Sequence, residues 1–462
     1  MPMSVQAALS ALGALSEGDV IVSNDPFQGG THLPDLTLLA PVTHTPPRTL
    51  LGYVAVRAHH SDIGGMSAGS MPVSREIFQE GLRIPPVHLR RGGRNVEEVW
   101  KLILANVRTP FEREADLEAQ LGALHTGARR LRELAGTKGM ERVLQAQEHL
   151  IAYGERLLRE GIRRIPDGVW QAEDVLEDDG SGGGPFPIRA AVIVRGDTLR
   201  VDFTGTAPQV SGPVNAVLAV TVSACRYVVR CIVEDLLGAS LPAGGGAMRA
   251  LELHVPLGTV LNARPPAAVA AGNVETSQRA TDVLLRAFAQ ALPDRIPALS
   301  QGTMNNLAIG GTDPRTGDPF TYYETVGGGM GAGPTGTGLS GVHTHMSNTL
   351  NTPVEALEQA YPFRVTQYHL RRGSGGRGRH SGGDGLVREI ELLGPAEVTL
   401  LTERRRSGPS GAAGGEAGAP GQNRLVRDGM ATELPGKTTF HAGRGDRISI
   451  ASPGGGGWGA LP

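Results

Sequence analysis

The sequence predicts an α+β protein, a large mixed multi-layer architecture with a helical segment and a Gly-rich antiparallel β C-terminal region. Three observations point there. Long apolar stripes at helical spacing occupy residues 96–165. Short apolar runs bounded by turn residues lie on both sides of them. The 66 glycines and 32 prolines make the chain rich in loops and special backbone positions. The order reads as a mixed α/β segment with candidate metal-site loops over residues 1–95, a helical segment over 96–165, and a mixed α+β region over 166–462 that ends in antiparallel strands.

Taken in order, residues 3–15 read as a helix with Val5, Ala8, Leu9 and Leu12 on one face. Residues 36–40 and 51–56 are short apolar runs that read as buried strands. Asn95 with Glu98 has the form of a capping box for a helix carrying Val96, Val99, Trp100, Ile103 and Val107. Thr109 as N-cap and Pro110 in the first turn start a second helix with Leu117, Leu121, Leu124, Ala128 and Leu131 as its stripe. After Gly136, Thr137 caps a third helix running towards Arg163. Such stripes serve core or helix–helix contact, with a subunit interface as a further use. Residues 168–173, 188–194, 199–203 and 251–255 read as strands, and 214–237 and 275–292 as helices. From 365 to 450 short apolar runs alternate with Gly-rich turns, the pattern of an antiparallel sheet.

Composition excludes several classes of function. A chain of 462 residues buries a sizeable core. With an aromatic content of 4%, that core relies on aliphatic packing. The net charge is -2, and the basic run is short (Arg404, Arg405 and Arg406, after Glu403), so nucleic-acid binding is not indicated. That run is expected to be a solvated turn or an interface patch. Cys225 and Cys231 lie six apart on one helix, facing different sides, and do not bridge. Few cysteines, and no basic start or cleavage site in residues 1–15, set a cytoplasmic expectation. The most apolar run, 214–237, is interrupted by Arg226, Arg230, Glu234 and Asp235, so no membrane span is expected.

The richest stretch chemically is 23–62, with two His-x-x-Asp pairs: His32 with Asp35, and His59 with Asp62 beside His60. Pro26, Gly29, Gly30 and Pro34 keep the first pair off a helix, and Gly64 and Gly65 close the loop of the second. Such residues serve as turn formers or, gathered by two neighbouring strands, as a site for one divalent metal. Mixed nitrogen and oxygen donors suit manganese, iron or zinc. His32, Asp35 and His59 are the expected ligands. Asp62 or His60 would be a further ligand or support, and Asp25 a carboxylate to take a proton.

Other candidates are less specific. Gly331 to Gly336 formally matches G-x-G-x-x-G without the strand and helix that motif needs, and Gly436-Lys437-Thr438 lacks the first glycine of a phosphate loop. Gly65-Met66-Ser67-Ala68-Gly69 has the letters of a nucleophile elbow without its context. His343 and His345, two apart, would face one side of an extended segment, to hold substrate, join the metal or stabilise a loop. Glu275, Gln278 and Arg279 sit at a helix start, which favours anions. Arg279 would hold a carboxylate or a ring carbonyl, or pair with Glu275. Asn305, Asn306, Tyr323 and Glu324 are candidate amide or ring contacts.

Several runs carry a family resemblance. They are residues 24–35 and 58–72, Gly272-Asn273-Val274-Glu275-Thr276-Ser277-Gln278-Arg279, Gln301-Gly302-Thr303-Met304-Asn305-Asn306, Tyr322-Tyr323-Glu324-Thr325, Val342-His343-Thr344-His345-Met346 and Pro453-Gly454-Gly455-Gly456-Gly457-Trp458-Gly459. In this order over almost the whole chain, they resemble the hydantoinase B/oxoprolinase family. The resemblance implies a B-type subunit that completes ATP-dependent opening of a cyclic amide, 5-oxoproline or a hydantoin. ATP would be supplied through a hydantoinase A-type partner in a hetero-oligomer. It also leaves ATP-dependent ketone carboxylation, or a non-catalytic assembly role, as alternatives. On this resemblance the substrate-binding set is Glu275, Arg279, Asn305, His343 and His345, and the catalytic set is Asp25, His60 and Asp62. Relatives carry a further N-terminal segment with an acidic residue of the metal site, and this chain begins inside that pattern.

Overall fold

The computed structural model describes residues 1–44 and 49–461. The architecture is α+β, and among the described residues the strands form four sheets. Helix α1 (Pro2–Leu12) leads into the first sheet, ordered β3-β2-β1-β4-β5. Its strands are β1 (Val20–Ser23), β2 (Asp35–His44), β3 (Thr49–His59), β4 (Val87–Arg91) and β5 (Arg94–Asn95). Leu36 and Leu38 are fully buried on one face of β2. That face packs on α2 (Glu97–Ala105) and α3 (Pro110–Lys138), whose Trp100, Ile103, Leu117, Leu121 and Leu124 join the same core. The i, i+4, i+7 spacing of the leucines in α3 puts them on one stripe.

Three expected caps differ in detail. Asn95 does not cap α2. Its carbonyl accepts from Arg90 Nε at 2.8 Å, and the cap position falls to Val96. Thr109 holds the cap position of α3 but makes no capping hydrogen bond. Thr137 starts no helix, because α3 runs through Gly136 to Lys138 and breaks at Gly139, where φ is +88°, before α4 (Met140–Ile162). An exposed glycine costs a helix about 1 kcal/mol, too little to end one of this length. The Thr137 hydroxyl is satisfied by the Glu133 carbonyl one turn back.

The second sheet comprises β6 (Gly168–Leu176), β7 (Phe186–Arg195), β8 (Thr198–Asp202) and β9 (Leu251–His254), with β8 and β9 parallel. It packs against α5 (Leu218–Leu237) and α6 (Ser277–Ala291) around a core that includes Phe203, Val228, Val233, Leu284 and Phe288. A π-helical turn, Gly272–Thr276, precedes α6. Cys225 is buried and Cys231 exposed on α5, and both are free thiols. No described helix is long and apolar enough to cross a membrane.

Two antiparallel sheets complete the chain. One is ordered β11-β10-β14-β17, from β10 (Asn306–Thr312), β11 (Pro319–Thr325), β14 (Ala396–Leu401) and β17 (Lys437–Ala442). The other, β12-β13-β18-β15-β16, follows α7 (Val354–Ala360) and uses β12 (Phe363–Arg371), β13 (Gly385–Leu392), β15 (Gln422–Arg427), β16 (Met430–Leu434) and β18 (Arg447–Ala451). Their facing residues, among them Ile309, Phe363, Ile390, Val398 and Ile450, make a third core.

The arginine run 404–406 is not the solvated turn expected. Arg404 is buried, with Nη2 2.7 Å from Asp174 and 2.9 Å from Asp282. Arg405 donates to Asn305 and Asn423, and Arg406 alone is exposed. Buried carboxylates far away in sequence draw Arg404 inside, since a buried charge needs a partner, and amide oxygens hold Arg405.

Glycine shapes the last segment in a different manner. Residues 453–459 thread between other extended glycine-rich stretches, and backbone amides bond outward to several neighbours. Gly455 donates to Gly383 and accepts from Gly376; Gly456 donates to Leu299 and accepts from Ala332; Gly457 donates to Glu416 and accepts from Ala412. A Cβ at Gly455 would overlap the Met330 carbonyl. The close approach itself requires glycine there.

Candidate active site

The site begins with a turn. The Asp35 amide donates to the His32 carbonyl at 3.1 Å, with Leu33 and Pro34 between, which brings the two side chains to one place. Buried Asn24 fixes this loop: it donates to Leu33 and Leu82 carbonyls and accepts from the Ile84 amide. Asp35 is the first residue of β2, and its antiparallel partner across the ladder is His59, the last residue of β3. His59 is therefore held on a strand rather than on the loop expected for it. His32 Nδ1 stands 3.2 Å from Asp35 Oδ2, and the His32 and His59 ring centroids are 5.0 Å apart.

Charge in this cluster is set by its neighbours. Burial opposes ionisation of Asp35, but His32 beside it, then His59 and the Thr31 hydroxyl, outweigh burial and hold the carboxyl well below the usual range. Crowding by protein, then the positive field of His32, push the His59 imidazole down to about 4 while part of its ring stays open to solvent. At neutral pH the pair is a carboxylate beside a neutral imidazole. Arg57, paired with Thr37 one pleat along, donates to the Thr37 hydroxyl at 2.8 Å and the Ser4 hydroxyl at 2.7 Å. Burial lowers the guanidinium pKa, and the Asp35 charge partly offsets that effect.

The donor types suit a borderline divalent cation, and buried His32 Nδ1 faces Asp35 Oδ2 at 3.2 Å without a hydrogen bond of good geometry, which leaves both atoms open to a shared cation. The three side chains do not form a closed cage: among the described residues no group of three or more His, Cys, Asp or Glu stands ready to hold a metal ion.

The remaining candidates are not brought to this point. Asp25 caps the one-turn helix Pro26–Gln28, accepting from the Phe27 amide at 3.0 Å and Gln28 Nε2 at 2.9 Å. His60 turns to the opposite face from His59, as strand alternation requires, and meets Gln120 of α3 at 3.0 Å. Asp62 is spent on Arg108, at 2.8 Å, and on the Gly64 and Arg108 amides. Arg279 does not pair with Glu275. Fully buried, it faces Asp282 at 2.8 Å, Asp174 at 3.3 Å and Glu403 at 3.6 Å. Asn305 is tied to Gln301, the Val326 carbonyl and Arg405. His343 and His345 do not share a side: His345 adopts φ +57°, which turns the chain, so His343 meets Ser347 and His345 meets Tyr227.

Two further residues stand at the site, Asn273 without an assigned role in the sequence and Tyr323 expected only as an amide or ring contact. Asn273, in the π-helical turn, brings Nδ2 to 3.5 Å from His32 Nε2. Tyr323 stacks on His59 with centroids 4.9 Å apart and planes 16° apart. Both fall within the runs that carry the family resemblance, which was the available signal.

Comparison with known proteins agrees with that resemblance. The family model described as Hydantoinase B/oxoprolinase matches residues 1–461. An uncharacterised protein of Methanocaldococcus jannaschii is 38% identical over 96% of this chain and 77% of its own length. The 5-oxoprolinase 1 of Arabidopsis thaliana is 39% identical over 96% of this chain, which spans only 36% of that protein. A protein of Pseudomonas sp. named for the B-type component of a D-/L-hydantoinase is 31% identical over 96% of this chain and 76% of its own. Among solved structures, the ATP-dependent caprolactamase from Pseudomonas jessenii superimposes with a TM-score of 0.88 at 30% identity, covering 99% of this chain and 81% of that one.

Proposed function

The chain belongs to the hydantoinase B/oxoprolinase family, and from that premise we propose that it is the B-type component of an ATP-dependent cyclic-amide hydrolase. It opens the ring of 5-oxoproline or a hydantoin beside an A-type, ATP-binding partner. The observation that carries the reading is the ladder pairing of Asp35 with His59, with His32 returned to the same point by its turn.

His32, Asp35 and His59 would hold a divalent cation, manganese, iron or zinc. Such a cation acts as a Lewis acid on a ring carbonyl and lowers the pKa of a water. The protein's own part is to prepare the donors. The Thr31 hydroxyl helps keep Asp35 ionised, and burial keeps His59 neutral, the protonation states that ligation needs. Arg57, oriented by two hydroxyls, places positive charge on the same face, suited to an anionic group of the substrate. ATP chemistry falls to the partner, because the two phosphate-loop look-alikes are occupied structurally. Lys437 Nζ is buried 2.6 Å from Glu403, and Gly333 and Gly336 only bridge each other.

The test is metal analysis of the purified chain beside a His32→Ala/Asp35→Ala variant. ATP-dependent ring opening of 5-oxoproline and hydantoin is then assayed with an A-type partner. Stoichiometric metal in the parent, lost in the variant, and bicarbonate-independent ring opening are expected. Full activity of the variant in the reconstituted complex would overturn the proposal, and ATP use that requires bicarbonate would replace it with carboxylation.

A further inference from the structure

A histidine that binds a metal ordinarily has its second ring nitrogen fixed by a hydrogen bond, which sets the plane of the ring. Among the described residues no hydrogen bond holds the His59 ring; its close companions are two other rings, His32 and Tyr323. Tyr323 comes from a different sheet, on β11, and lies nearly parallel to His59.

Tyr323 is itself tethered. Its hydroxyl donates to Asn306 Oδ1 at 2.7 Å, the diagonal neighbour on β10, since Tyr323 pairs with Ala308 and Asn306 with Thr325. Asn306 Nδ2 donates to Glu275 Oε1 and to the Leu401 carbonyl, each at 2.8 Å. Glu275 Oε1 also accepts from the Met304 amide at 3.1 Å. Glu275 belongs to the π-helical turn, and so does Asn273, which approaches His32. Local π-helical geometry is frequent at functional sites because the added residue re-aims neighbouring side chains. Here one turn reaches both imidazoles, His32 through Asn273 and His59 through Asn306 and Tyr323.

We propose that Tyr323 is a positioning residue for His59, a stacked plate held by Asn306 and Glu275 that sets the imidazole plane in place of the usual hydrogen bond. The inference rests on the reading of His59 as a donor of the site. It also gives Glu275 a role different from the substrate contact expected of it.

The experiment uses the full chain with Tyr323→Phe, which keeps the ring and loses the tether, and Tyr323→Leu, which loses both. Proton–carbon spectra of histidine-labelled protein, with His59 assigned through His59→Gln, report the ring-current displacement that a stacked phenol imposes. Mn2+ affinity is measured in parallel. The Leu variant is expected to lose the displacement and bind Mn2+ about tenfold more weakly, the cost typical of removing a partner that orients a ligand. The Phe variant should fall between it and the parent. His59 resonances and Mn2+ affinity unchanged in both variants would overturn the proposal, as would a Phe variant that only melts earlier. Should the Leu variant not fold, the Phe variant decides on the same criteria. If the parent itself binds no Mn2+, the metal reading fails, while the His59 spectra still decide the role of Tyr323.

Discussion

The His32–Asp35–His59 cluster and the glycine-rich packing around residues 453–459 achieve order by opposite means. In the cluster the backbone is ordinary turn and strand, and side chains carry the information: a close His32–Asp35 contact, a stack and a few hydroxyls. Around Gly455 the contacts are made by main chain, and amides and carbonyls of several segments bond directly to one another at distances that leave no room for a methyl group. The first region can lose a side chain and keep its shape. The second cannot gain one. Sensitivity to mutation should therefore separate stability from chemistry along the same line.

The largest expected effect is at Gly455. Its replacement by alanine should lower the free energy of unfolding by about 3 kcal/mol or more, because the Met330–Gly331 backbone must move away. Gly336→Ala, which meets nothing within 4 Å and sits outside this packing, should stay within about 0.5 kcal/mol. Urea midpoints of the two variants check the pair, and equal values would break the comparison.

A buried charge network gives the next step down. Asp282→Ala leaves Arg279 and Arg404 to share Asp174, with Glu403 more distant at 3.6 Å. A loss of about 3 kcal/mol or somewhat less is expected in the same titration.

Glu80 adds a dependence on pH. Its carboxyl accepts from the Val269 and Ala270 amides and the Ser74 hydroxyl, yet burial pushes it up to about 7. The folded chain thus holds this proton where the unfolded carboxyl, near 4.3, has released it. The contribution is full below about pH 4 and is lost as pH rises through about 7, on the order of 3–4 kcal/mol in all. Glu80→Gln should flatten that part of a stability–pH profile measured by thermal melts.

The smallest effect on stability belongs to the site itself. His59→Gln should change unfolding by no more than about 0.5 kcal/mol, since part of the ring faces solvent and no hydrogen bond holds it. The same variant should lose metal and ring-opening activity. Large destabilisation by His59→Gln would place the cluster with the structural networks instead.

What could be read from the sequence follows the range of the interactions. The strands of residues 36–40 and 51–56 were legible because apolar runs between turn residues are local signals. The gathering of His32, Asp35 and His59 was legible because neighbouring strands carry them. Asp25 was misleading: its capping of Pro26–Gln28 uses the same residue type that proton transfer would need. Arg279, Arg404 and Arg405 were opaque for a different reason. Their carboxylate and amide partners at 174, 282 and 305 are distant in sequence, and no periodicity links them. Glycine count announced loops, but which glycine lies against which carbonyl depends on segments brought together by the whole fold.

The glycine packing also has a temporal side. Its segments come from stretches near residues 299, 330, 376–383 and 412–418, and the stretch after Pro453 passes through their midst. During synthesis the earlier stretches leave the ribosome first, and each exposes unpaired amides and carbonyls until that last stretch arrives. Elements of the first sheet can pair on their own schedule, while this part of the protein must wait, and in the interval it is the portion most in need of protection from wrong partners.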